Sequence, residues 1–451
     1  MTATTLAAAE SSHGALTHTV EVTVAMLSVA VAIGVLTKFV RVPYTIALVL
    51  VGLAIALIDA APAGAVMTHD LVLMVFLPPL LFQAGLHLDL AHLKRVATPV
   101  VIMAFPGVLL STLLVALTFR WLLPPDFAAM IAPLADVFGA DRAVWIVVLL
   151  FGVVMAPTDP ISVMATFKTA NVPDELKTMV EGESLFNDGT AVAVFALLAS
   201  IVGGVLAGTA DAAAVTESLQ VSAFAINFIK VAGLGTVIGL GLGLIAFWLV
   251  RLLDDHTLET AITVALAWGA FVIAEQAHAS GVIAVVVAAL IMGNYGRVMH
   301  MSDSTRRTLH GFWDSIDFII NSILFLMIGF ELSDPAVGGR EALLDGRVWL
   351  TAFATLAALM IARALLTYPI VMTLKRQWPA AWKHVIWWAG LKGSLSLALL
   401  LILPAGDLRS FLLPIAFLVV LLSLVGQGVT MPILIRRLGV AKDAPDATDH
   451  T

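Results

Sequence analysis

The sequence predicts an all-α membrane protein of about thirteen transmembrane helices. Two inverted six-helix repeats are expected, with helices five and twelve interrupted and crossing at mid-membrane. Three observations carry this. Hydrophobic residues make up 60% of the 451-residue chain and charged residues 12%, where a soluble protein is nearer a quarter charged; mean hydropathy is +1.02. Apolar stretches of ~20 residues, enough for one crossing each, recur along the whole chain. Two acidic strings, Ala156-Pro157-Thr158-Asp159-Pro160 and Glu181-Gly182-Glu183-Ser184-Leu185-Phe186-Asn187-Asp188, sit inside such stretches, where a carboxylate costs roughly 2.5–3.5 kcal/mol on insertion scales.

Taken in order, the spans are expected at 20–38, 43–60, 70–88, 97–122, 143–167, 179–205, 221–250, 257–277, 280–296, 309–332, 347–374, 381–404 and 410–435. The longest polar connections fall near 123–142, 206–220, 297–308 and 333–346, and none is large enough to hold its own core. The first twenty residues lack Lys and Arg, so they do not read as a secretory signal, which needs a positive amino-terminal region. The chain has no cysteine, which excludes disulfides, thiolate metal sites and cysteine nucleophiles.

The net charge of −7 says less than where the basic residues lie. With the amino terminus outside, the internal connections hold Lys38, Arg41, Lys94, Arg95, Lys168, Lys177, Arg251, Arg297, Arg306, Arg307, Lys375, Arg376, Lys383, Arg436, Arg437 and Lys442, sixteen in all. The external ones hold five: Arg120, Arg142, Arg340, Arg347 and Arg409. Lys230, Arg363 and Lys392 fall inside spans. Positive charge marks the cytoplasmic side, so the amino terminus is expected outside and the carboxyl terminus in the cytoplasm.

Pro157 and Pro160 cannot donate to the carbonyls of Val153 and Ala156, so the fifth span loosens there and is expected to leave backbone oxygens free. Free carbonyls beside carboxylates suit a hard cation; the alternative is a proline kink with one stray acid. An odd span count suits two inverted repeats joined by one extra helix, with interruptions at matching places. The matching place in the second half is Gly390-Leu391-Lys392-Gly393-Ser394 of the twelfth span, with Lys392 buried there or snorkelling to a membrane face. On the sixth span Ser184 and Asp188 share one helix face, and Glu183 and Asn187 a neighbouring one. Glu183 in hydrocarbon needs a cation or a proton, and Lys392 is expected as its structural ion-pair partner. Asn187 adds polarity without charge beside Asp188.

These residues, in this order, resemble the monovalent cation/proton antiporter family, in its NhaP and eukaryotic sodium/proton exchanger branch. The likeness rests on Thr158-Asp159-Pro160, on Glu183-Ser184 followed by Asn187-Asp188, and on the stretch from Gly390 through Ser394-Leu395-Ser396-Leu397-Ala398-Leu399. Phe76 to Asp89 is similar to the family's third helix, and Ser280-Gly281-Val282-Ile283-Ala284-Val285 to its ninth. The resemblance implies a homodimer in the cell membrane, with a core domain moving against a dimerisation domain. It places residues 1–96 (helices 1–3) in the dimerisation domain and 97–205 (helices 4–6) in the core. Residues 206–346 supply linker helix 7 and dimerisation-side helices 8–10, 347–437 return to the core as helices 11–13, and 438–451 form a short cytoplasmic tail. It implies that Asp188 carries cation and proton alternately, assisted by Asp159, Thr158 and Ser184. Two departures stand out: Gln83 where relatives often carry Glu, which removes a charge, and Lys392 where many carry Arg, which loses the bidentate fork.

Other candidates stay open at this level. Glu275 and His278 are either an interfacial pair facing water or a pH sensor. Asp314, Asp317 and Glu331 either line a cytoplasmic funnel or sit at the interfaces. Arg363 is expected to pair with an acid or with helix-end carbonyls, Lys230 to snorkel, and the glycine run Gly233, Gly235, Gly239, Gly241 and Gly243 to be a close-packed face.

The function expected is secondary antiport of a monovalent cation (Na⁺, with Li⁺ or K⁺ as alternatives) for H⁺ by alternating access. No cofactor and no nucleic-acid partner are expected, only the two transported ions and the bilayer. Asn187-Asp188, in place of two acids in a row, points to electroneutral exchange. A passive channel would favour rings of charge or repeated carbonyl filters. An intramembrane hydrolase lacks its motifs here: there is no His-Glu-x-x-His and no Gly-x-Ser-x-Gly, and residues two apart, such as His278 and Ser280, do not face each other on a helix.

Overall fold

The computed structural model describes residues 3–39, 43–62, 67–68, 70–206, 208, 221–253, 255–298, 303–330, 341, 344–373, 378–404 and 406–440. Among these residues it contains helices and turns and no strand. The elements are α1 (Ala3–Thr37), α2 (Tyr44–Leu57), a π-helical segment (Leu71–Phe76) that runs into α3 (Leu77–His87), α4 (Leu90–Ala104) and α5 (Pro106–Trp121). They continue as α6 (Phe127–Met130), α7 (Ala132–Phe138), α8 (Ala140–Met155), α9 (Ile161–Thr169) and α10 (Asp174–Leu206). Then come α11 (Val221–Arg251), α12 (His256–Gln276), α13 (Gly281–Val298), α14 (Asp303–Phe330), α15 (Gly346–Thr373), α16 (Trp382–Trp388) and α17 (Ser394–Leu401). The chain closes with α18 (Asp407–Ser423), a second π-helical segment (Leu424–Gly428) and α19 (Val429–Leu438).

Among the described residues, eight helical stretches are long and apolar enough to cross a membrane, and three more are shorter apolar helices, in α2, the α3 unit and α13. The two remaining expected spans, the fifth and the twelfth, are the broken pairs α8/α9 and α16/α17. The segment 123–142, expected as a polar connection, folds instead into α6 and α7. Phe127, Ile131, Leu134 and Phe138 are buried there at helical spacing. Glu331 and the 333–340 connection lie outside the described residues.

Capping fixes where several helices begin. Asp89 accepts from Ala91 N (2.7 Å) at the start of α4. Asp255 does the same for α12 through Thr257 N (2.8 Å) and Leu258 N. Those backbone donors hold the Asp255 carboxyl below the usual carboxylate range, so the cap is kept at neutral pH and lost only as pH falls through that lowered pKa.

The helices pack in two groups. One joins α1, α2, α3 and α11–α14; the other joins α4, α5, α8, α10 and α15–α18. Backbones touch where glycine removes the side chain: Gly52 faces the Leu326 carbonyl and Gly329 faces Gly52 Cα, so α2 and α14 cross closely. On α11, Gly235, Gly239 and Gly243 face Ser280, Ala284 and Ala288, the close-packed stripe expected from sequence, while Gly233 and Gly241 face open space. Between the groups Leu90 N on α4 donates to Asn294 Oδ1 on α13 at 2.7 Å, and α2 meets α9 through the short hydroxyl contact of Thr45 with Ser162.

Candidate functional site

The site begins with two breaks. Helix α8 stops at Met155 and α9 starts at Ile161, while α16 stops at Trp388 and α17 starts at Ser394. The unwound strands 156–160 and 389–393 meet directly, Asp159 N donating to Leu391 O at 2.8 Å. Proline removes the donors that would have continued α8, as the sequence indicated. The oxygens thereby released are not left free, however. Val153 O accepts from Ala156 N at 3.2 Å. Ala156 O and Pro157 O accept from Lys392 Nζ at 2.9 and 2.8 Å. The ammonium thus caps the carbonyl end of α8, the negative end of its dipole, and does not snorkel.

This corrects the expected Glu183–Lys392 pair. Glu183 on α10 binds Arg363 on α15 with both carboxylate oxygens, through Nη1 to Oε1 and Nη2 to Oε2 (3.1 Å). Arg363 also donates from Nε to Trp387 O (3.2 Å) and from Nη2 to Ile386 O (2.7 Å), at the end of α16. The physical reason is geometry: a planar guanidinium meets one carboxylate with two parallel bonds and still has donors for two carbonyls. Lysine's point charge suits a pair of converging carbonyls. The expectation for Arg363, an acid or helix-end carbonyls, holds in both its parts. The glycines flanking Lys392 make room: a Cβ on Gly390 would strike the Arg363 guanidinium, and one on Gly393 the Asp159 carboxyl.

Around the break the polar groups interlock. Ser184 Oγ donates to Thr158 O. Asn187 Nδ2 donates to Thr158 Oγ1 at 2.7 Å, and Thr158 N donates back to Asn187 Oδ1 at 3.4 Å. Asp159 Oδ1 accepts from Ile161 N (2.9 Å), capping α9. Asp188 differs: its Oδ1 is buried and accepts no hydrogen bond, although Asp159, Lys392 and Glu183 are all within electrostatic reach. Behind these residues a cavity of about 20 Å³, room for about one water, is lined by Ser111, Thr158, Glu183, Asn187, Arg363 and Lys392. The structure therefore brings Asp188, Asp159, Thr158, Ser184, Asn187, Glu183 and Lys392 together.

The remaining candidates separate. Gln83 Nε2 donates to Asp314 Oδ1 at 3.3 Å. Beside them His310 Nδ1 lies 2.9 Å from His87 Nε2, which is 3.5 Å from Asp314 Oδ1. Asp317 Oδ1 accepts from Asn321 Nδ2 at 2.8 Å. Glu275 and His278 are joined through the backbone, His278 N donating to Glu275 O at 3.0 Å, and not as a side-chain pair. Glu275 Oε1 accepts from Gly281 N (3.1 Å), closing the α12–α13 turn, and exposed His278 sits in that turn at φ 54°.

Sequence reasoning missed a supporting layer. Ser423 Oγ accepts from Lys392 N (3.0 Å) and donates to Gln427 Oε1 (2.6 Å), while Gln427 Nε2 donates to Trp388 O (3.1 Å). Gln427 lies in the second π-helical segment, a local irregularity with no sequence signal beyond the polar pair Ser423 and Gln427 in an apolar helix.

Comparison with known proteins matches residues 25–437 to the family model described as sodium/hydrogen exchanger, transmembrane. The chain is 38% identical to the Na(+)/H(+) antiporter NhaG of Bacillus atrophaeus, covering 95% of this chain and 76% of that one. It is 38% identical to NhaP of Pseudomonas aeruginosa, covering 82% and 81%. Among solved structures, the sodium proton antiporter MjNhaP1 of Methanocaldococcus jannaschii superposes with a TM-score of 0.69 at 18% identity, over 95% of this chain and 99% of that one.

Proposed function

The chain belongs to the sodium/hydrogen exchanger family, and we propose that it is a multi-pass secondary antiporter exchanging a monovalent cation, Na⁺ foremost, for H⁺. The observation that carries the mechanism is the orphaned Asp188 oxygen beside two crossed, unwound strands. Its polar neighbours Arg363, Lys392 and Asn187 are engaged elsewhere, by Glu183, by two carbonyls and by Thr158. A buried acceptor without a donor costs about 1–3 kcal/mol. A proton or a dehydrated cation removes that cost, and the two compete for one carboxylate. Asp159, Thr158 and Ser184 supply further oxygens when the cation is bound, and Li⁺ or K⁺ are alternative cargoes.

The same reading extends to the whole protein. Exchange is electroneutral, because one carboxylate carries either ion. The α4–α10 and α15–α19 group is the moving core, and α1–α3 with α11–α14 is the dimerisation side of a homodimer. The protein sits in the cell membrane with its amino terminus outside and carboxyl terminus in the cytoplasm, as the Lys and Arg distribution favours. Its alternating-access design rests on the broken helices at the repeat junction.

The test uses proteoliposomes with an internal pH dye. Adding Na⁺ should collapse a preset pH gradient, and Asp188→Asn should reduce the response to less than about a tenth of wild type while elution and melting stay normal, since an amide can neither release a proton nor offset a cation. Lowering pH should raise the apparent KM for Na⁺, approaching about tenfold per unit where the carboxyl is mostly protonated. Proton movement without an opposing ion gradient would mark a channel and overturn the antiport reading.

A further inference from the structure

The unwound strand 389–393 is bracketed by two buried polar side chains, Ser423 at the end of α18 and Gln427 in the π-helical segment that follows. Gln427 Nε2 donates to the carbonyl of Trp388, the last residue of α16, at 3.1 Å. Ser423 Oγ accepts from Lys392 N at 3.0 Å, near the other end of the strand. The hydroxyl and the amide are joined at 2.6 Å. Trp388 returns a bond, its indole Nε1 donating to Gln427 O at 3.2 Å and to Thr430 Oγ1 at 2.8 Å. The segment lies directly on the strand: a Cβ on Gly428 would come within 3.4 Å of Leu391 Cδ2.

The sense of each bond in this chain is fixed. Trp388 O can only accept and Lys392 N can only donate. Nε2 of Gln427 must therefore face Trp388, and its Oε1 must face Ser423. The hydroxyl then commits its one hydrogen to Gln427 and a lone pair to Lys392 N. No flipped amide satisfies all three contacts, so the pair holds the strand in one register. That register sets where the Lys392 side chain goes. Its Nζ sits on Ala156 O and Pro157 O, and the adjacent Leu391 O accepts from Asp159 N at 2.8 Å. Asp188 lies within electrostatic reach of the same ammonium and keeps a buried oxygen without a donor. An ammonium released from its carbonyls would find that oxygen, and a charge-assisted pair would form where a cation has to bind.

We infer that Ser423 and Gln427 are positioning residues for ion exchange: by bracketing strand 389–393 they keep the Lys392 ammonium on the carbonyl end of α8 and off Asp188. This rests on the antiport reading and adds to it a reason why a buried ammonium near Asp188 does not block it. Both side chains act through Lys392.

The test uses the full chain. In proteoliposomes, Ser423→Ala and Gln427→Met should each raise the apparent KM for Na⁺ about three- to tenfold, the worth of one lost hydrogen bond, with a smaller effect on kcat. Ser423→Thr, which keeps the hydroxyl, should recover most of the loss. KM is read from the folded fraction, so a variant that folds poorly still reports. Binding of ²²Na⁺ to detergent-purified protein gives the link to Lys392: in a Lys392→Met background neither change should weaken binding further. Hydrogen–deuterium exchange reads the bracket without transport. The backbone of 388–394 should exchange at least about tenfold faster in Ser423→Ala and Gln427→Met. Thr236→Ala, on an exposed residue of α11 whose hydroxyl bonds Ala232 O, is the control. Unchanged protection in both variants, a loss confined to kcat, or weakened ²²Na⁺ binding that persists with Lys392→Met would each overturn the proposal. If the wild-type protein exchanges no Na⁺ for H⁺, the antiport reading fails by itself, and the protection of 388–394 decides the bracket: faster exchange supports it and unchanged exchange overturns it.

Discussion

At the residue scale, two cations that look alike in the sequence do different work. Arg363 and Lys392 both lie in apolar stretches, yet one neutralises Glu183 and the other caps the end of α8. Removing one partner of a buried ion pair costs about 3–5 kcal/mol, because the survivor stays charged and desolvated. Glu183→Gln should therefore lower the detergent melting temperature strongly, and adding Arg363→Met should restore much of it. Adding Lys392→Met should not, since that ammonium keeps its carbonyl partners whether or not Glu183 is charged. A thermal-shift double-mutant comparison checks this, and better rescue by Lys392→Met would reverse the assignment. Glu183 was legible as needing a cation, but the choice between two candidates was not: it depends on which helix end each side chain reaches.

At the element scale, glycine spacing separates contact from bystander positions. Gly239 and Gly241 lie on the same helix, but a Cβ at Gly239 would collide with the Ala284 backbone and one at Gly241 would meet nothing within 4 Å. Gly239→Ala should thus destabilise the protein by about 1–3 kcal/mol. Gly241→Ala should be neutral or slightly stabilising, because alanine is the better helix former by about 1 kcal/mol. Melting curves of the two single variants decide it, and equal losses would mean that α11 does not pack on α13 through this stripe. The sequence showed the run of five glycines but not which three touch, since that is a matter of helix rotation against a neighbour. The broken elements were more legible: two prolines around Thr158-Asp159 and two glycines around Lys392 have no role in a continuous helix. The π-helical segments were not, because an extra residue in a turn leaves no compositional trace.

At the scale of the whole molecule, the distribution of charge sets the energetics of transport. Near the crossing, Glu183 and Arg363 cancel, and Lys392 is held by carbonyls of α8. Asp188 keeps a buried oxygen that accepts no hydrogen bond. If one proton is traded for one Na⁺, no net charge moves. Vesicles clamped at different potentials with valinomycin and K⁺ should then reach the same Na⁺ gradient at a fixed pH difference. A second proton per cycle would instead shift that gradient with voltage, by about 2.3 kcal/mol per charge for each 100 mV. Such a shift would identify Lys392 or Asp159 as a second proton carrier.

The sequence by itself determined the class of fold and where the polar residues of the centre lie along the chain. Apolar runs of membrane length, proline and glycine breaks at matching places, and acids where acids are costly are all one-dimensional signals. It also determined that Glu183 needs a positive partner and that Asn187 sits beside Asp188. Tertiary structure decided who partners whom. Arg363 reaches Glu183 from a helix 180 residues away in sequence, and Lys392 takes the carbonyls that proline released. Those outcomes depend on helix rotation, on depth and on the space left by Gly390 and Gly393, which arise only when separate helices are packed against one another.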